Sequence, residues 1–448
     1  MQCKNISAQL NRLIVLGSLL LAQQVMADEI QPDTPPVHED WAIHGQITNI
    51  TQHNSHFNAP YGGTNSLRSN GPTEETTDLT LFLGVRPWQG GEFWINGEVD
   101  QGFGLSNTFG VAGFPSGGAY KVGANRPYIR LPRAFLRQTI GLGGDAQSVE
   151  ADANQLAGAH SANNVTLTVG KFAVTDIFDN NSYAHDPRAD FLNWSMIDGS
   201  AFDYAADSWG YTYGFAAEWN QDWWTLRAGY FELSQEPNGK AANFNFRENS
   251  PMLEAEARYD LAGKPGKVKL LGFVNRGNMG AYKDATSLAN QTGGSPDVSQ
   301  VRHFATRTGY VINLEQTLSS DTGLFARLSR NQGSKETYEF TDANQSASFG
   351  VSVKGASWKR ENDTLGLACV VNALSGEAKD YFAAGGLGVL IGDGKLNYAP
   401  EKILEAYYAF GFGLHYTASV DYQHVNNPAY NHDRGPVSIY SLRLHAQF

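Results

Sequence analysis

The chain has 448 residues and a formal net charge of −12, because 45 acidic residues outnumber 33 basic ones. An acidic surface of this kind argues against nucleic acid as a partner. Glycine (48 residues) and aromatic residues (12%) are abundant and cysteine (2 residues) is scarce, which favours many strands and turns without a disulfide framework.

The first residues have the pattern of a secretory signal. Basic residues precede an apolar run at residues 13–22 (LIVLGSLLLA), and a small-residue cleavage pattern ends at Ala27. The apolar run is too short for a spanning helix, and the sequence has no other stretch of about 18 apolar residues. We therefore predict a signal peptide at residues 1–27 and a single domain over residues 28–448.

The rest of the chain is built from segments in which apolar and polar residues alternate, as they do in a strand with two different faces. Segments of about 9 to 11 residues are long enough to cross a bilayer as tilted strands. An even number of them predicts an all-β fold, a transmembrane antiparallel β-barrel of 16 strands. The predicted strands lie near 41–57, 76–87, 92–103, 134–143, 165–174, 211–219, 223–233, 251–261, 266–277, 302–318, 322–333, 346–358, 363–375, 402–412, 415–426 and 437–448.

The connections between these segments alternate between long and short. Bacterial barrels have short periplasmic turns and long outer loops, so the alternation independently supports a barrel. We expect long extracellular loops, some of them folded into the pore, with constriction loops near 104–133 and 175–210. The connection at 144–164 is a long inner turn with room for a short helix, and nothing in the sequence explains its length.

Charged residues inside the strands indicate which face points inward. In residues 253–259 (LEAEARY), Glu and Arg alternate with Leu, Ala and Tyr. Arginine or lysine facing lipid near the midplane costs roughly 2 to 4 kcal/mol, so the charged face must line an aqueous lumen. The same reasoning directs further polar residues inward: Asn96, Glu98, Asp100, Arg227, Arg258, Arg307, Asn313, Glu315, Arg327, Lys354, Asp421 and Arg443.

The connection at 175–210 is the densest part of the chain in polar and aromatic residues. A loop of this length inside a compact fold is either functional or evidence against the assignment of its neighbours. Strands on both sides of it alternate clearly, so we predict that the loop folds into the mouth of the barrel and narrows it.

The last segment, residues 437–448 (VSIYSLRLHAQF), indicates the class of barrel. Its alternation would also suit a soluble sandwich, so periodicity alone does not separate a periplasmic all-β protein from a membrane barrel. A secretory signal, this alternation and the terminal Phe448 together resemble the closing strand of Gram-negative outer-membrane barrels. In such proteins the C-terminal aromatic residue belongs to the signal read by the assembly machinery.

Three segments resemble the carbohydrate-selective porins of the OprB type. They are residues 91–117 (GEFWINGEVDQGFGLSNTFGVAGFPSG), 167–197 (LTVGKFAVTDIFDNNSYAHDPRADFLNWSMI) and 204–239 (YAADSWGYTYGFAAEWNQDWWTLRAGYFELSQEPNG). The second is the specific one, through its GK…D.F…N.YA.DPR.DFLNW pattern, and the resemblance spans most of the chain. It implies an outer-membrane porin through which glucose and related sugars diffuse passively, narrowed by inward loops with charged and aromatic residues.

Sugar recognition requires hydrogen-bond donors and acceptors for hydroxyls and aromatic faces for the ring, in many weak contacts that allow release. The two loops supply Phe109, Phe114, Tyr120, Lys121, Arg126, Tyr128, Arg130 and Arg133, then Tyr183, His185, Asp186, Arg188, Asp190 and Trp194. The strands add Glu98, Arg227, Arg258, Arg307 and Arg327. The strand arginines have an equally good alternative role, which is to pair with carboxylates of the lumen.

Other chemistries are poorly supported. His185 has carboxylates nearby but no second His or Cys at metal-ligand spacing. Residues 176–182 (DIFDNNS) lack the glycine turn and closing Glu of a calcium loop, so Asx hydrogen bonds within the loop are favoured over calcium. The glycine-rich run at 102–118 lacks dinucleotide-binding spacing. We predict no catalytic residue, no metal and no cofactor.

The resulting hypothesis is a porin of the Gram-negative outer membrane that lets glucose and similar sugars diffuse into the periplasm. Its expected partners are sugars, outer-membrane lipid and lipopolysaccharide, and the assembly machinery through the strand ending in Phe448. The oligomeric state stays open between monomer and trimer. The alternatives are a porin for organic acids or small aromatic solutes, and an outer-membrane hydrolase, for which no Ser, His and acid set lies on one strand face.

Overall fold

The computed structural model describes residues 38–119, 122–241 and 244–448. Within them 16 antiparallel strands form one closed barrel, in which each strand pairs with its neighbours in the chain and β16 pairs with β1. The predicted all-β barrel is therefore confirmed. The signal peptide predicted at residues 1–27 and the loop residues Tyr120 and Lys121 lie outside the described residues.

The strands agree closely with the predicted segments, apart from the fourth and fifth. The 16 strands are β1 Trp41–Asn54, β2 Thr73–Trp88, β3 Gly91–Gly102, β4 Ala124–Val149, β5 Gly158–Phe172, β6 Thr212–Asn220, β7 Trp224–Glu232, β8 Asn249–Leu261, β9 Lys264–Met279, β10 His303–Thr317, β11 Thr322–Asn331, β12 Gln345–Gly355, β13 Arg360–Ala373, β14 Glu401–Phe412, β15 Tyr416–Asn426 and β16 Val437–Gln447. The α-helices are α1 Trp194–Ile197, α2 Tyr282–Thr292 and α3 Gly376–Ala383. In the described ranges no helix has the length and apolar character needed to cross a membrane.

The two ends of the barrel differ. At one end, here called the short-turn end, most connections are tight, such as the turn between β8 and β9. Both central residues of that turn, Ala262 (φ 54°) and Gly263 (φ 76°), have positive φ, as the twist of a two-residue hairpin requires. The opposite, long-loop end carries the long connections, including 173–211, which follows β5. The alternation predicted from the sequence is therefore present.

The wall is apolar outside and polar inside. On β2, Leu81 and Leu83 are about 40% exposed on the outer face (41% and 39%), whereas their neighbour Thr80 is buried. On β3, Asn96 and Glu98 are buried inside the barrel. Exposed aromatic side chains lie near strand ends, as expected for interfacial girdles: Trp41, Trp88, Trp219, Trp223 and Tyr440.

The strand β4 begins at Ala124 rather than near residue 134, so the preceding loop is shorter than predicted. Arg126, Tyr128, Arg130 and Arg133, all expected in a loop, therefore belong to a strand of the barrel wall. Two prolines concealed this strand, because proline is normally excluded from strand interiors unless a bulge accommodates it. The pairing of β3 with β4 does shift register between Asn96/Glu98 and between Asp100/Gly102.

The long inner connection is also strand rather than helix. β4 and β5 stay paired as far as Val149 and Gly158, beyond the ends of the neighbouring strands at the short-turn end. The turn between them folds back, because Arg137 donates to the Asn154 carbonyl at 2.9 Å and Leu156 is fully buried. This turn therefore covers part of the mouth at the short-turn end.

The seam between the first and last strands is closed by the last residue. The backbone amide of Gly45 donates to the Phe448 carbonyl at 2.7 Å, and the Phe448 amide donates to the Gly45 carbonyl at 2.9 Å. A Cβ at position 45 would lie 2.6 Å from the Phe448 ring. Glycine at this position therefore leaves the space in which the terminal ring lies.

Candidate channel constriction

The connection at residues 173–211, called the inner loop below, lies inside the barrel. It descends along β10, where Asn313, Glu315 and Thr317 contact successive loop residues. Tyr183 of the loop reaches the short-turn end of β10, where its hydroxyl lies 2.9 Å from the Thr317 hydroxyl. The loop thus passes through most of the lumen along this wall.

Two strand arginines hold the inner loop by its backbone carbonyls. Arg327 donates to the carbonyls of Ala184 (2.8 Å) and Met196 (2.8 Å) and pairs with the Asp179 carboxylate at 3.2 Å. Arg443 of β16 donates to the carbonyls of Pro187 (2.6 Å) and Asp190 (2.8 Å) in the same loop. Each guanidinium has several donors in a fixed plane, so one side chain can satisfy several carbonyls.

Strand carboxylates bind the amides of the same loop. Glu405 accepts hydrogen bonds from the amides of Leu192 (2.5 Å) and Asn193 (3.0 Å), and Glu254 accepts one from the Asp179 amide (2.9 Å). Inward charges on β8 to β16 therefore satisfy loop backbone that would otherwise be buried without partners.

Aromatic packing completes the attachment on this side. Phe191 packs against Tyr407 of β14 with ring centroids 5.0 Å apart, and Phe202 packs against Phe273 of β9 at 5.1 Å. Both loop phenylalanines are fully buried. The inner loop and the wall of β8 to β16 consequently form one packed unit.

The other side of the inner loop faces β2 to β5 and carries partly exposed charges. Arg188 of the loop lies 3.3 Å from Asp78 of β2. Arg133 of β4 binds Asp176 of the loop with two hydrogen bonds, at 2.8 Å and 2.6 Å. The arginine side chains remain 17–18% exposed, so solvent reaches them.

A third arginine, Arg130 of β4, pairs with Glu98 and Asp100 of β3. Together with Arg133 and Arg188 it forms what we call the arginine cluster. The guanidinium of Arg130 lies 5.0 Å from the ring centroid of Tyr211, and that of Arg133 lies 4.9 Å from it. Tyr211 is itself buried, so it positions these two guanidiniums by cation–π contact.

Two half-exposed aromatic side chains lie beside the arginine cluster. The indole nitrogen of Trp209 donates to the hydroxyl of Tyr128 at 2.9 Å, and the Arg130 guanidinium lies 5.8 Å from the Trp209 ring centroid. Both rings are partly open to solvent. The arginine cluster and its surroundings therefore combine planar donors, carboxylate acceptors and aromatic faces.

A cavity of about 1380 Å³ leads from the short-turn end toward the arginine cluster. It reaches the loop residues Asp176 and Ile177, the first of which binds Arg133. Charged side chains of both signs line its wall: Arg86, Glu92, Arg137, Glu218, Glu256, Arg258 and Lys267.

The structure separates the loop residues predicted to contact solute into two groups. Arg188 and Asp186 lie on the side facing β2, where their side chains are 3.7 Å apart. Asp190 accepts the amides of His185 and Asp186 at 3.0 Å and 3.1 Å and so stabilises the turn between them. Tyr183 and His185 are half-buried. Their part in the solute path stays a prediction.

Trp194 is a predicted loop residue that is buried away from the solute path. It lies in α1 with 5% exposure, and its ring stacks on Phe114 with centroids 5.1 Å apart. Packing of this kind identifies it as part of the core that joins two connections.

The strand residues predicted to contact solute all form ion pairs: Glu98, Arg227, Arg258, Arg307 and Arg327. Arg126, which was predicted in a loop, lies exposed on β4. Arg227 pairs with Glu254 (2.7 Å), Arg258 with Glu256 (2.6 Å) at the short-turn end, and Arg307 with Asp203 of the inner loop. Pairing with lumen carboxylates, the alternative role considered from the sequence, therefore holds in this structure. Contact with solute stays a prediction for each of them.

From the sequence, Trp209 and Asp78 were not predicted to lie beside the arginine cluster, and Tyr211 was assigned to a strand. Their proximity depends on the inner loop returning to β2 and β4, which no local pattern reveals. The alternation of Tyr128 and Arg130 on β4 was an available signal, but the neighbouring prolines concealed it. No set of His, Cys, Asp or Glu side chains suited to a metal ion occurs among the described residues.

A closed barrel with a polar lumen narrowed by an inner loop defines a membrane channel. The carbohydrate-selective porin, OprB family matches residues 64–448, and the chain belongs to that family. It is therefore an outer-membrane channel for sugars in a Gram-negative bacterium.

A solved structure supports the fold. The chain is similar to OprB of Pseudomonas putida at high pH, with a TM-score of 0.69, 15% identity, and coverage of 91% of this chain and 94% of that one. The low-pH structure of the same protein gives a TM-score of 0.48 at 12% identity, covering 91% and 93%. The channel DcaP of Acinetobacter baumannii gives 0.49 at 11% identity, covering 91% and 97%. No curated protein matches the chain.

Proposed function

We propose that neutral monosaccharides such as glucose cross the barrel through a slot between the inner loop and the wall of β2 to β5. The arginine cluster, Trp209 and Tyr128 line this slot at its narrowest part. The long-loop end faces the outside, so that solute passes the cluster before it enters the cavity at the short-turn end.

The observation that carries this proposal is that partly exposed arginines and partly exposed aromatic rings lie close together. A guanidinium that shares its donors between a carboxylate and a hydroxyl can hold a sugar without losing its ion pair. A ring face such as that of Trp209 can cover the apolar face of the sugar. Many partial contacts of this kind favour binding that is weak enough for release.

Charge balance favours neutral solutes over anions. Arg130, Arg133 and Arg188 each have at least one carboxylate partner. An incoming organic acid would have to displace such a carboxylate or tolerate its repulsion, whereas a sugar hydroxyl does neither. The channel is therefore expected to prefer glucose to an acidic sugar of equal size.

The remaining expectations from the sequence belong to the same proposal. They are export through a cleaved signal peptide at residues 1–27, assembly through the strand ending in Phe448, contact with lipopolysaccharide, function as a monomer or trimer, and the lack of enzymatic activity. Of these, assembly is supported by the seam contact between Phe448 and Gly45.

The proposal is tested by single-channel conductance in a planar bilayer, with glucose or glucuronate titrated into both chambers. We expect concentration-dependent block by glucose and weaker block by glucuronate. In the variant Trp209→Leu the apparent affinity for glucose should fall about 2-fold to 10-fold, corresponding to about 0.5 to 1.5 kcal/mol for a lost ring contact.

The matched control is Trp219→Leu, because Trp219 lies on the lipid face of β6 and is exposed there. It should leave glucose block unchanged. Stronger block by glucuronate than by glucose would contradict the sugar assignment and favour a channel for organic acids. Equal losses in both tryptophan variants would show that Trp209 has no special contact with the sugar.

A further inference from the structure

A second, smaller cavity lies at the long-loop end, apart from the arginine cluster. Its volume is about 230 Å³, and residues from four different connections line it, including Glu236, Tyr282, Asp297, Arg302 and Asp342. Since one water molecule takes up about 30 Å³, the cavity has room for roughly eight waters or one small ring-shaped polyol.

Asp342 is the side chain that marks this cavity as a binding site. It is 2% exposed, and its Oδ2 accepts a hydrogen bond from the Leu390 amide at 2.8 Å. Its Oδ1 is buried and has no partner at hydrogen-bond geometry in the part of the chain that the structure describes, although the amides of Val389 and Ile391 also lie near the carboxylate. A buried acceptor without a partner costs about 1 to 3 kcal/mol, which a hydroxyl donor entering the cavity would offset.

The cation of the cavity is already neutralised. Arg302 binds Glu336 with two hydrogen bonds, at 2.8 Å and 2.9 Å, and Glu236 with a third at 2.9 Å. With Asp297 and Asp342 in addition, the lining is acidic and repels anions. No set of carboxylates among the described residues suits a metal ion, and in a channel for sugars the donor that fits a carboxylate oxygen is a sugar hydroxyl.

The cavity is joined to the inner loop by backbone contacts. The amides of Tyr338 and Glu339, which belong to the connection that carries Asp342, donate to the Asp203 carboxylate of the inner loop at 2.8 Å and 2.9 Å. A ligand held at Asp342 therefore lies on a segment that directly contacts the loop narrowing the channel.

We propose that this cavity is an entry site that captures one neutral monosaccharide at the long-loop end before it reaches the arginine cluster. Asp342 accepts sugar hydroxyls, and the ring of Tyr282 forms part of the surrounding wall. The proposal rests on the sugar channel described above. It adds a second site, which is formed by different residues and is reached only from the long-loop end.

The experiment measures how fast glucose blocks single channels when it is added to one chamber at a time. A biotin tag inserted after Gly293 in the exposed connection before β10, with streptavidin in one chamber, identifies the long-loop side. In Asp342→Asn the rate of block from the long-loop side should fall about tenfold, the expected effect of one lost hydrogen bond to a charged group. Block from the short-turn side should keep its wild-type rate.

The matched control is Asp284→Asn, which removes an equal charge from an exposed position of α2 that does not line the cavity. Glu236→Gln, a change at the exposed rim, should lower the same one-sided rate by a smaller factor. Equal rates in Asp342→Asn and wild type, or equal losses from both sides, would overturn the entry site. A wild-type channel that glucose does not block from either side would instead overturn the proposed function.

Discussion

The two sides of the inner loop use the same residue types for different purposes. Toward β8 to β16, Arg327 is 1% exposed in its side chain and its donors bind loop carbonyls and Asp179. Toward β2 to β5, Arg133 is 17% exposed and keeps solvent access beside its carboxylate partner. The comparison indicates that Arg327 binds loop backbone and a loop carboxylate without solvent contact, whereas Arg133 binds a loop carboxylate and stays accessible to solvent.

The largest expected effect comes from a substitution on the side of the inner loop that packs against β8 to β16. In Arg327→Met, Asp179 loses its charge partner, and the carbonyls of Ala184 and Met196 lose their donors. Breaking a buried pair by removing one partner typically costs about 3 to 5 kcal/mol. We expect a lower thermal unfolding midpoint and a larger, noisier single-channel conductance, because the loop is no longer held against the wall.

The matched control is Arg330→Met on the same strand. Arg330 is exposed on the outer face of β11, three positions from Arg327 and on the other side of the wall. It should leave both the midpoint and the conductance unchanged. If Arg327→Met kept the wild-type conductance, Arg327 would not be an anchor of the loop.

The second largest effect is expected on the side of the inner loop that faces β2 to β5. Arg133→Lys keeps the positive charge but replaces a planar, two-point donor by a point charge. We expect unchanged cation-to-anion selectivity, measured from the reversal potential in a salt gradient, and glucose block weakened about tenfold, as for one lost charge-assisted hydrogen bond.

Two further variants separate charge from geometry. Arg133→Gln should change both the reversal potential and the glucose block, because it removes the charge as well. Arg137→Lys, on the same strand but in the wall of the larger cavity, should change neither. Unaltered glucose block in Arg133→Lys would show that only charge matters at this position.

The sequence predicted the barrel wall far better than it predicted the different roles of Arg327 and Arg133. A strand that meets lipid on one face and water on the other must alternate, so the outward Leu81 and Leu83 and the inward Glu98 could be assigned from local pattern alone. The contact of Arg327 with Ala184 joins residues 143 positions apart. Nothing local distinguishes it from Arg130, which has a different role.

The start of β4 shows the same limit within the wall. Proline at positions 127 and 132 removed the local signal for a strand, although Tyr128 and Arg130 alternate as strand residues should. The pairing of Tyr128 with Asp100 and of Arg130 with Glu98 settles the assignment, and it depends on β3. Placing the candidate site therefore required the register of two strands and the path of the inner loop.

The smallest expected effect concerns Asp342, a buried carboxylate that, unlike Asp179, forms no ion pair within the described residues, although Arg307 is near enough for its charge to act on it. Burial raises the pKa of Asp342 at the long-loop end from 3.8 to about 6. The folded protein therefore holds this proton more tightly than the unfolded chain. The contribution to stability is full below pH 3.8 and is lost as the pH rises through about 6.

Asp342→Asn should remove this pH-dependent loss of stability, because the amide of asparagine does not ionise. At pH 7 the variant should show slower hydrogen exchange than wild type in the connections 332–344 and 374–400, after correction for intrinsic rates. At pH 3.8 and below the two proteins should exchange alike. The change in the global midpoint should be small, because a local gain is spread over a large barrel of 16 strands. Faster exchange in the variant at pH 7 would mean that the ionised Asp342 stabilises these connections, as Asp179 does where Arg327 pairs with it.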